Sequence, residues 1–567
     1  LSQIEISGKR IVEYLAITHD FSLWWMNLLA EKNPVKSKTI QTALRLLAIR
    51  DLIKELNPAQ IELYSSNKTV SRALTELCEL HKISFVFHYQ KKINQEVNIL
   101  SIIKRLPYVI QGFLFIINHI IKRWTLRNIE KPKWYSNNSS VFIFSYFFNL
   151  DKKKCSQGEF YSRQWEMFPK YLVNNGKKIN WFHHYLSTSN EPDTSTANRW
   201  ISNFNKNKIP NTHYLLDSFL SFNIIVRTIK QWIKFIIKTK NLGKGIYQSL
   251  KIIDQNWLWY IMLDDWKNSV QGPSAMQNIL WVNLLDKSMS SIPQQNLGLY
   301  LCENMDWERA FIYFWRKYNH GKLIAVPHAT VRYWDLRYFE DIRIWNSNDI
   351  FRQPIADHIA VNGPLSWNTY KKAGHPIDRM IKVEALRYLH LNKHKRPKLL
   401  NNKNYTIKRK KKKLLLLSDL ASDTTDAMLN LLECSFETLK MKFDLTLKSH
   451  PANPVNIDKY PTLDVAISNE NLEILFQKHQ GIICSIYTSA AVEAASIGMP
   501  IITILDNNEL NFSPLYDLNK TRYVSTNSEL EEALIIQYNK KKDIDNNDTY
   551  FWTNKNLPHW GKLLEIN

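Results

Sequence analysis

A histidine–proline pair, His450–Pro451 in KSHPAN, and a hydroxyl pair, Thr488–Ser489 in GIICSIYTSAAVEAASIG, each follow an apolar run. An imidazole at the end of a strand projects from the strand top, and a proline fixing the turn beneath it holds the ring in place. A Thr-Ser step entering a helix whose next residues are Ala490 and Ala491 offers hydroxyls, unsatisfied backbone NH groups and room for close approach. Ser485 adds a hydroxyl, and Glu493, one turn in, can accept hydrogen bonds from a ribose or base. Taken singly, the hydroxyl pair reads as an ordinary helix cap and the His-Pro as a loop dipeptide. Together, at the ends of two strands expected to lie side by side, they predict one nucleotide pocket. No glycine-rich Walker loop competes for the phosphate.

A transfer reaction at such a pocket also needs a carboxylate or imidazole to take a proton from an acceptor hydroxyl, or a carboxylate to attack the reacting carbon. Three polar residues sit at the ends of apolar runs in the first half of the chain: Asp20 after YLAITH, Glu303 after LGLYLC and His328 in LIAVPHA. These are the catalytic candidates, Glu303 foremost. Glu308, five residues later, is aimed less clearly at a cleft. Arg332 and Arg337 match a substrate carboxylate in geometry, with salt bridges to Asp335 or Asp341 as the competing use. The five cysteines, Cys78, Cys155, Cys302, Cys434 and Cys484, are scattered without metal-ligand spacing. With no well-placed DxD either, chemistry without a metal or other cofactor is the expectation.

The elements that must position these residues alternate between strand and helix, which implies parallel sheets. Strands are predicted at RIVEYLAIT, QIELYSS, ISFVFHY, SVFIFSYFF, LGLYLCEN, LIAVPHA, DIRIWNS and HIAVNGP, then at LLLLSDL, FDLTLKSHP, GIICSIY and MPIITIL. Chain length, 567 residues, exceeds what one core holds. The reading is α/β: two Rossmann-like parallel-sheet domains facing a cleft, the arrangement called GT-B. The N-terminal domain spans 1–390, a basic linker 391–413, the C-terminal domain 414–545, and a tail at 546–567 is expected to return to the N-terminal domain.

Two segments interrupt the N-terminal alternation, near 100–130 and 214–240. KRLPYVIQGFLFIINHIIKRW sets an apolar run between Lys-Arg pairs but is short for a membrane span, which needs roughly twenty residues. In FNIIVRTIKQWIKFIIKTK, Lys230, Lys234 and Lys238 share a helix row opposite Ile225, Ile229, Trp232, Ile233, Ile236 and Ile237. That is the pattern of a helix lying on an anionic membrane surface, against the alternative of a helix packed on its own core. The formal charge of +23 is thereby given a partner. No zinc-finger, RRM or helix-turn-helix pattern accompanies it, so nucleic acid is not the expected partner. Scattered cysteines without a secretory leader pattern lead to the expectation of a peripheral protein on the cytoplasmic face of a bacterial inner membrane.

His-Pro followed by a Thr-Ser pair resembles the nucleotide signature of sialyltransferase-like and Kdo-transferase-like GT-B enzymes. The ending EAASIGMPIITI is similar to the E-A-x-x-x-G-x-P pattern of many GT-B C-terminal domains. That resemblance implies a CMP-linked 2-keto sugar acid as donor, with His450, Pro451, Ser485, Thr488 and Ser489 at the phosphate and Glu493 at the ribose. HDFSLWWMNLLAEKN, ENMDWERAFIYFWRK and VPHATVRYWDLRYFED resemble a family of bacterial surface-carbohydrate biosynthesis proteins, which implies a glycan or lipid-linked acceptor. The acidic D/E-D/E-G motif of the sialyltransferase-like enzymes is absent: LDDW and FEDI carry the paired acids without the glycine. The readings kept beside this one are a UDP- or GDP-sugar or CDP-polyol donor on the same fold, and a non-catalytic membrane-bound assembly factor.

Overall fold

Continuous apolar runs form parallel strands covered on both faces, and this chain builds two sheets of that kind. The computed structural model describes residues 1–91, 102–187, 192–393, 411–451, 453–506, 509–516, 518, 521–539 and 550–566. Much of the expected 391–413 linker therefore lies outside the described residues.

A two-residue pairing of Glu5–Ile6 with Lys9–Arg10 comes first in the chain, and the next strands, β1 (Gln60–Ser65) and β2 (Ser84–Tyr89), pair only with each other. The N-terminal sheet has seven parallel strands: β3 (Ser140–Phe147), β4 (Lys178–Tyr185), β5 (Asn211–Leu215), β6 (Leu297–Cys302), β7 (Lys322–Pro327), β8 (His358–Val361) and β9 (Met380–Lys382). Their order is β9-β8-β7-β6-β3-β4-β5. Every residue of the central β3 is buried. The C-terminal sheet has six parallel strands: β10 (Lys412–Leu417), β11 (Phe443–Lys448), β12 (Ala466–Ile467), β13 (Gly481–Cys484), β14 (Ile501–Ile504) and β15 (Thr521–Val524). Their order is β12-β11-β10-β13-β14-β15. Strand order reverses between β3 and β6 in one sheet and between β10 and β13 in the other. Doubly wound sheets open their ligand crevices at such switch points, at the carboxyl ends of the strands. The fold is thus α/β with two Rossmann-like lobes, the GT-B arrangement.

Helices used below are α1 (Thr39–Leu56), α2 (Lys68–Leu80), α3 (Tyr108–Arg123), α4 (Phe222–Thr239), α5 (Trp257–Gln271), α6 (Pro273–Ser291), α7 (Asp306–Lys317) and α8 (Ala490–Ser496).

Four expectations are corrected. RIVEYLAIT is not a strand: Ile11–Tyr14 is one helical turn whose Ile11 and Val12 are buried. QIELYSS and ISFVFHY are strands, but with α1 and α2 they form a satellite packed on Trp257, Leu258 and Ile261 of α5 rather than the edge of the main sheet. DIRIWNS contributes only a 3-10 turn, Ile342–Ile344, within the long loop between β7 and β8. Finally, β11 and β13 are not side by side, because β10 lies between them.

Two strands of the main sheet, β4 and β5, carry little sequence signal. In KINWFHHY, His183 and His184 are buried and their imidazoles are held neutral; burial pushes their pKa values down to about 3 and about 4. His183 Nε2 lies 3.1 Å from Nδ1 of His213 on β5, and the rings stack on each other.

After Tyr550 and Phe551, which belong to the C-terminal core, the chain returns to the N-terminal lobe through Leu557, Trp560 and Leu564. Trp560 is fully buried, donates from Nε1 to the Glu384 carbonyl at 2.9 Å, and packs on Phe168 with ring centroids 4.5 Å apart. The chain crosses between lobes at two adjacent places. Ala385 N donates to the Trp552 carbonyl at 2.7 Å. Tyr388 stacks on Phe551 at 4.0 Å, both rings within the core of the C-terminal lobe.

Candidate active site

Glu303 follows β6 at the N-terminal switch point. The turn that presents it is built by Glu308 on α7, whose carboxylate accepts from Glu303 N at 2.8 Å and Asn304 N at 3.2 Å. Asn304 adopts a left-handed φ of 54° there, a conformation asparagine tolerates better than most residues. Glu308 is 2% exposed, and burial raises its pKa to about 7 despite those two donors. Its carboxylate is thus committed to the backbone, which leaves Glu303 as the acid facing the cleft.

His328, after β7 on the neighbouring strand, places Nε2 3.5 Å from Glu303 Oε1. Burial, with Arg387 and Arg332 adding to it, pushes the His328 pKa down to about 3, so the ring is neutral. Burial raises the Glu303 pKa while the guanidiniums of Arg337, Arg387 and Arg332 hold it down. Arg337 is bound to Asp335, at 2.8 and 2.6 Å, and reaches the Glu303 carbonyl at 3.2 Å. That is the competing use foreseen for it, and it braces the turn.

Arg332 crosses the cleft. Its Nη2 donates to the Tyr487 carbonyl at 2.8 Å and lies 3.3 Å from Ser489 Oγ, both on the turn that follows β13. Its Nε is buried with no hydrogen-bond partner among the described residues. The N-terminal switch-point loops therefore face the C-terminal ones, and the Thr488–Ser489 turn lies opposite Glu303 and His328.

Within the C-terminal lobe, Asp419, after β10, holds three strand-end loops together. Its carboxylate accepts from Ala421 N at 2.8 Å, Thr424 Oγ1 at 2.9 Å and Tyr487 N at 3.1 Å. Its carbonyl accepts from Asn453 Nδ2 at 3.4 Å, and Asn453 N closes a turn on the His450 carbonyl. His450 N donates to Ser418 Oγ at 2.8 Å. Burial lowers the His450 pKa, Asp419 opposing and Arg387 adding to the shift. Pro451 is exposed on the turn. With β10 between their strands, His450 and the Thr488–Ser489 turn stand roughly 10 Å apart, two strand spacings of about 4.8 Å. That span suits a ligand lying across the end of β10 better than one phosphate held by both.

Thr488 Oγ1 accepts from Ala490 N at 3.3 Å, and the Ser485 hydroxyl is buried without a partner among the described residues. Helix α8 has only seven residues, so its dipole is small and positive charge at this end must come from side chains. Glu493, in its first turn, lies 3.7 Å from His390 Nε2; although burial works against protonation, that carboxylate raises the His390 pKa.

Two residues here escaped the sequence reading. Asp419 carried a usable signal, an acid directly after LLLLS. Arg387 carried none: it lies in a 3-10 segment, Leu386–Lys393, at the crossing between lobes. Its charge acts on Glu303, His328, His450 and Glu493, members of both lobes.

Asp20 is not brought to this site. Its Oδ1 accepts from Tyr313 Oη at 2.5 Å and Thr18 Oγ1 at 3.1 Å, beside the C-terminal half of α7. The expected strand before it is a helical turn, which removes the reason for placing it at a strand end. A half-open cavity lined by Tyr300, Arg309, Glu340, Tyr370 and His375 lies behind the Glu303 turn, within the N-terminal lobe.

No family model matches the chain, and no curated protein matches it. Among solved structures, it is similar to the UDP-GlcNAc 2-epimerase from Methanocaldococcus jannaschii, at 12% identity and a TM-score of 0.40, over 76% of this chain and 100% of that one. It is also similar to CalG4, the calicheamicin glycosyltransferase, at 9% identity and TM-score 0.35, over 70% and 90% of the two chains. Acinetobacter baumannii MurG gives 10% identity and TM-score 0.33, over 70% and 91%. These are distant likenesses of chain path, and any chemistry must be argued from the residues themselves.

Proposed function

We propose that the protein is a glycosyltransferase that moves a 2-keto sugar acid from a CMP donor to a glycan or lipid-linked acceptor of a bacterial surface polysaccharide. The observation that carries this reading is the reach of Arg332 from the Glu303–His328 lobe onto the Ser489 turn of the other, with the charge of Arg387 acting on Glu303 and Glu493. A CMP-linked sugar acid presents two anions close together, the phosphate and the sugar carboxylate. On this reading Arg332 and Arg387 meet those anions, and a guanidinium fork fits each of them. Thr488 and Ser489 add hydroxyl donors, His450 reaches the nucleotide from the far side of β10, and Glu493 faces the ribose.

In this scheme ionised Glu303 takes the proton of the acceptor hydroxyl as that oxygen attacks the anomeric carbon. Neutral His328 orients the carboxylate. The bond from the anomeric carbon to the phosphate oxygen breaks, and the leaving phosphate is stabilised by Arg332, Arg387 and the two hydroxyls. Arg337 acts as a positioning residue through the Glu303 carbonyl.

The test has two arms. CMP is expected to raise the melting temperature by mass action, with UDP and GDP giving no shift; a shift from UDP instead would overturn the donor assignment. Glu303→Gln is expected to keep the CMP shift while losing transfer by 100-fold or more. Unchanged turnover in that variant would end the catalytic assignment.

A further inference from the structure

Helix α3 turns an apolar face outward. Gly112, Ile116 and His119 are buried on its inner side, while Val109, Ile110, Phe113, Leu114, Ile117 and Ile121 are exposed, Phe113 by 49% and Ile121 by 74%. Their spacing of three, four and one residues makes a single stripe along the helix. A stripe of this size, unpartnered among the described residues of a folded protein, marks an interaction surface.

What covers it is indicated by the charge around it. The helix is preceded by exposed Lys104 and Arg105 and followed by exposed Lys122 and Arg127. Helix α4 lies against it: a Cβ on Gly112 would stand 2.8 Å from the Trp232 ring. Helix α4 does not present the whole isoleucine face that its sequence suggests, because Ile224, Ile225, Trp232 and Phe235 are buried against the lobe. It adds exposed Lys230 and Lys234, with Ile233 and Ile237 at 47% and 70% exposure beside them. Neither 102–129 nor 218–253 contains an aspartate or glutamate. An apolar stripe rimmed by cations, with acids entering only from other elements at Tyr108 (Asp264), Arg123 (Asp217) and Arg227 (Asp286), is complementary to an anionic lipid surface, where apolar side chains enter the acyl boundary and lysines meet headgroups. With sixteen residues, α3 is about 24 Å long and cannot span a bilayer core of about 30 Å; among the described residues no helix is long and apolar enough to do so.

We infer that the α3 stripe and the adjoining lysines of α4 form a docking face that lies in the interface of an anionic bilayer. The face has a defined orientation relative to the site. Arg123, at the end of α3, is held by Asp217 at 3.5 Å and by the Tyr185 carbonyl, both at the carboxyl ends of β4 and β5. The docked surface therefore lies beside the end of the sheet at which the candidate active site opens, within reach of a lipid-linked molecule entering from the bilayer. This inference is independent of the nucleotide reading.

The test is flotation of the full chain with vesicles of phosphatidylglycerol and phosphatidylcholine against vesicles of phosphatidylcholine alone. Binding is expected to the anionic vesicles and to weaken with salt. The double variant Phe113→Glu/Ile117→Glu should lower bound protein at least tenfold, and Lys230→Glu/Lys234→Glu should remove the preference for anionic lipid. Both should keep the wild-type melting temperature, which separates loss of docking from loss of fold. No binding of the wild type, or undiminished binding of the first variant, overturns the proposal. So does a wild-type dimer in light scattering that the first variant converts to monomer without any vesicle binding, because the stripe would then join two copies of the chain.

Discussion

Glu303 and His328 stand 3.5 Å apart but titrate very differently. With its pKa near 3, His328 stays neutral throughout the working range, whereas the raised Glu303 carboxyl must lose its proton before it can act as a base. The rate should therefore rise with pH along a single acid limb, with an apparent pKa above the usual glutamate value of about 4.3, and then level off. A kcat/KM profile checks this: His328→Gln should lower the plateau and leave one limb, whereas a second limb near pH 6.5 would mean the histidine titrates. At this scale the sequence was legible where a polar residue ended an apolar run, as with Glu303, His328 and Thr488. It was silent on Arg387, whose surroundings, EALRYLHL, read as an ordinary amphipathic helix and whose importance arises only when two lobes meet. Asp20 shows the reverse failure: the same local pattern, but no strand beneath it.

The β6–α7 connection depends on buried charge balance. Lys36 lies 2.9 Å from both Glu31 and Asp306, whose side chains are 1% and 5% exposed. Burial, followed by the Asp306 charge, raises the Glu31 pKa to about 7 even with the lysine present. Lys36→Met would leave two buried carboxylates facing each other, at a cost of about 3–5 kcal/mol. Urea unfolding should show that loss, and Lys36→Met combined with Glu31→Gln should recover part of it; a single variant within 0.5 kcal/mol or so of wild type would contradict this account. Elements with aliphatic runs, such as β10 (KKLLLL), β13 (GIIC) and β14 (IITI), were readable because nothing but burial explains them. Strand β4 was not, because its histidines look solvent-loving until they are seen stacked and neutral. The satellite strands β1 and β2 were read correctly as strands but not as a separate unit, since which sheet a strand joins depends on contacts far along the chain.

At the level of the molecule, two α/β lobes followed from alternation and length and a returning tail was expected, while the contacts that fasten that tail and pair the two crossings did not. Trp560 anchors the returning tail, and Trp560→Ala should cost about 3–5 kcal/mol as a large aromatic is removed from a fully enclosed site. Calorimetry should locate that loss in the N-terminal lobe, and a melting profile identical to wild type would show the anchor to be dispensable. The double crossing at Ala385–Tyr388 and Tyr550–Trp552 has a mechanical result. A body tethered at one point can swing and spin, whereas one carried on two neighbouring pins keeps a single axis of rotation. Arg387 belongs to the first of those pins, between Ala385 and Tyr388, so a swing of one lobe against the other about them would displace its backbone least.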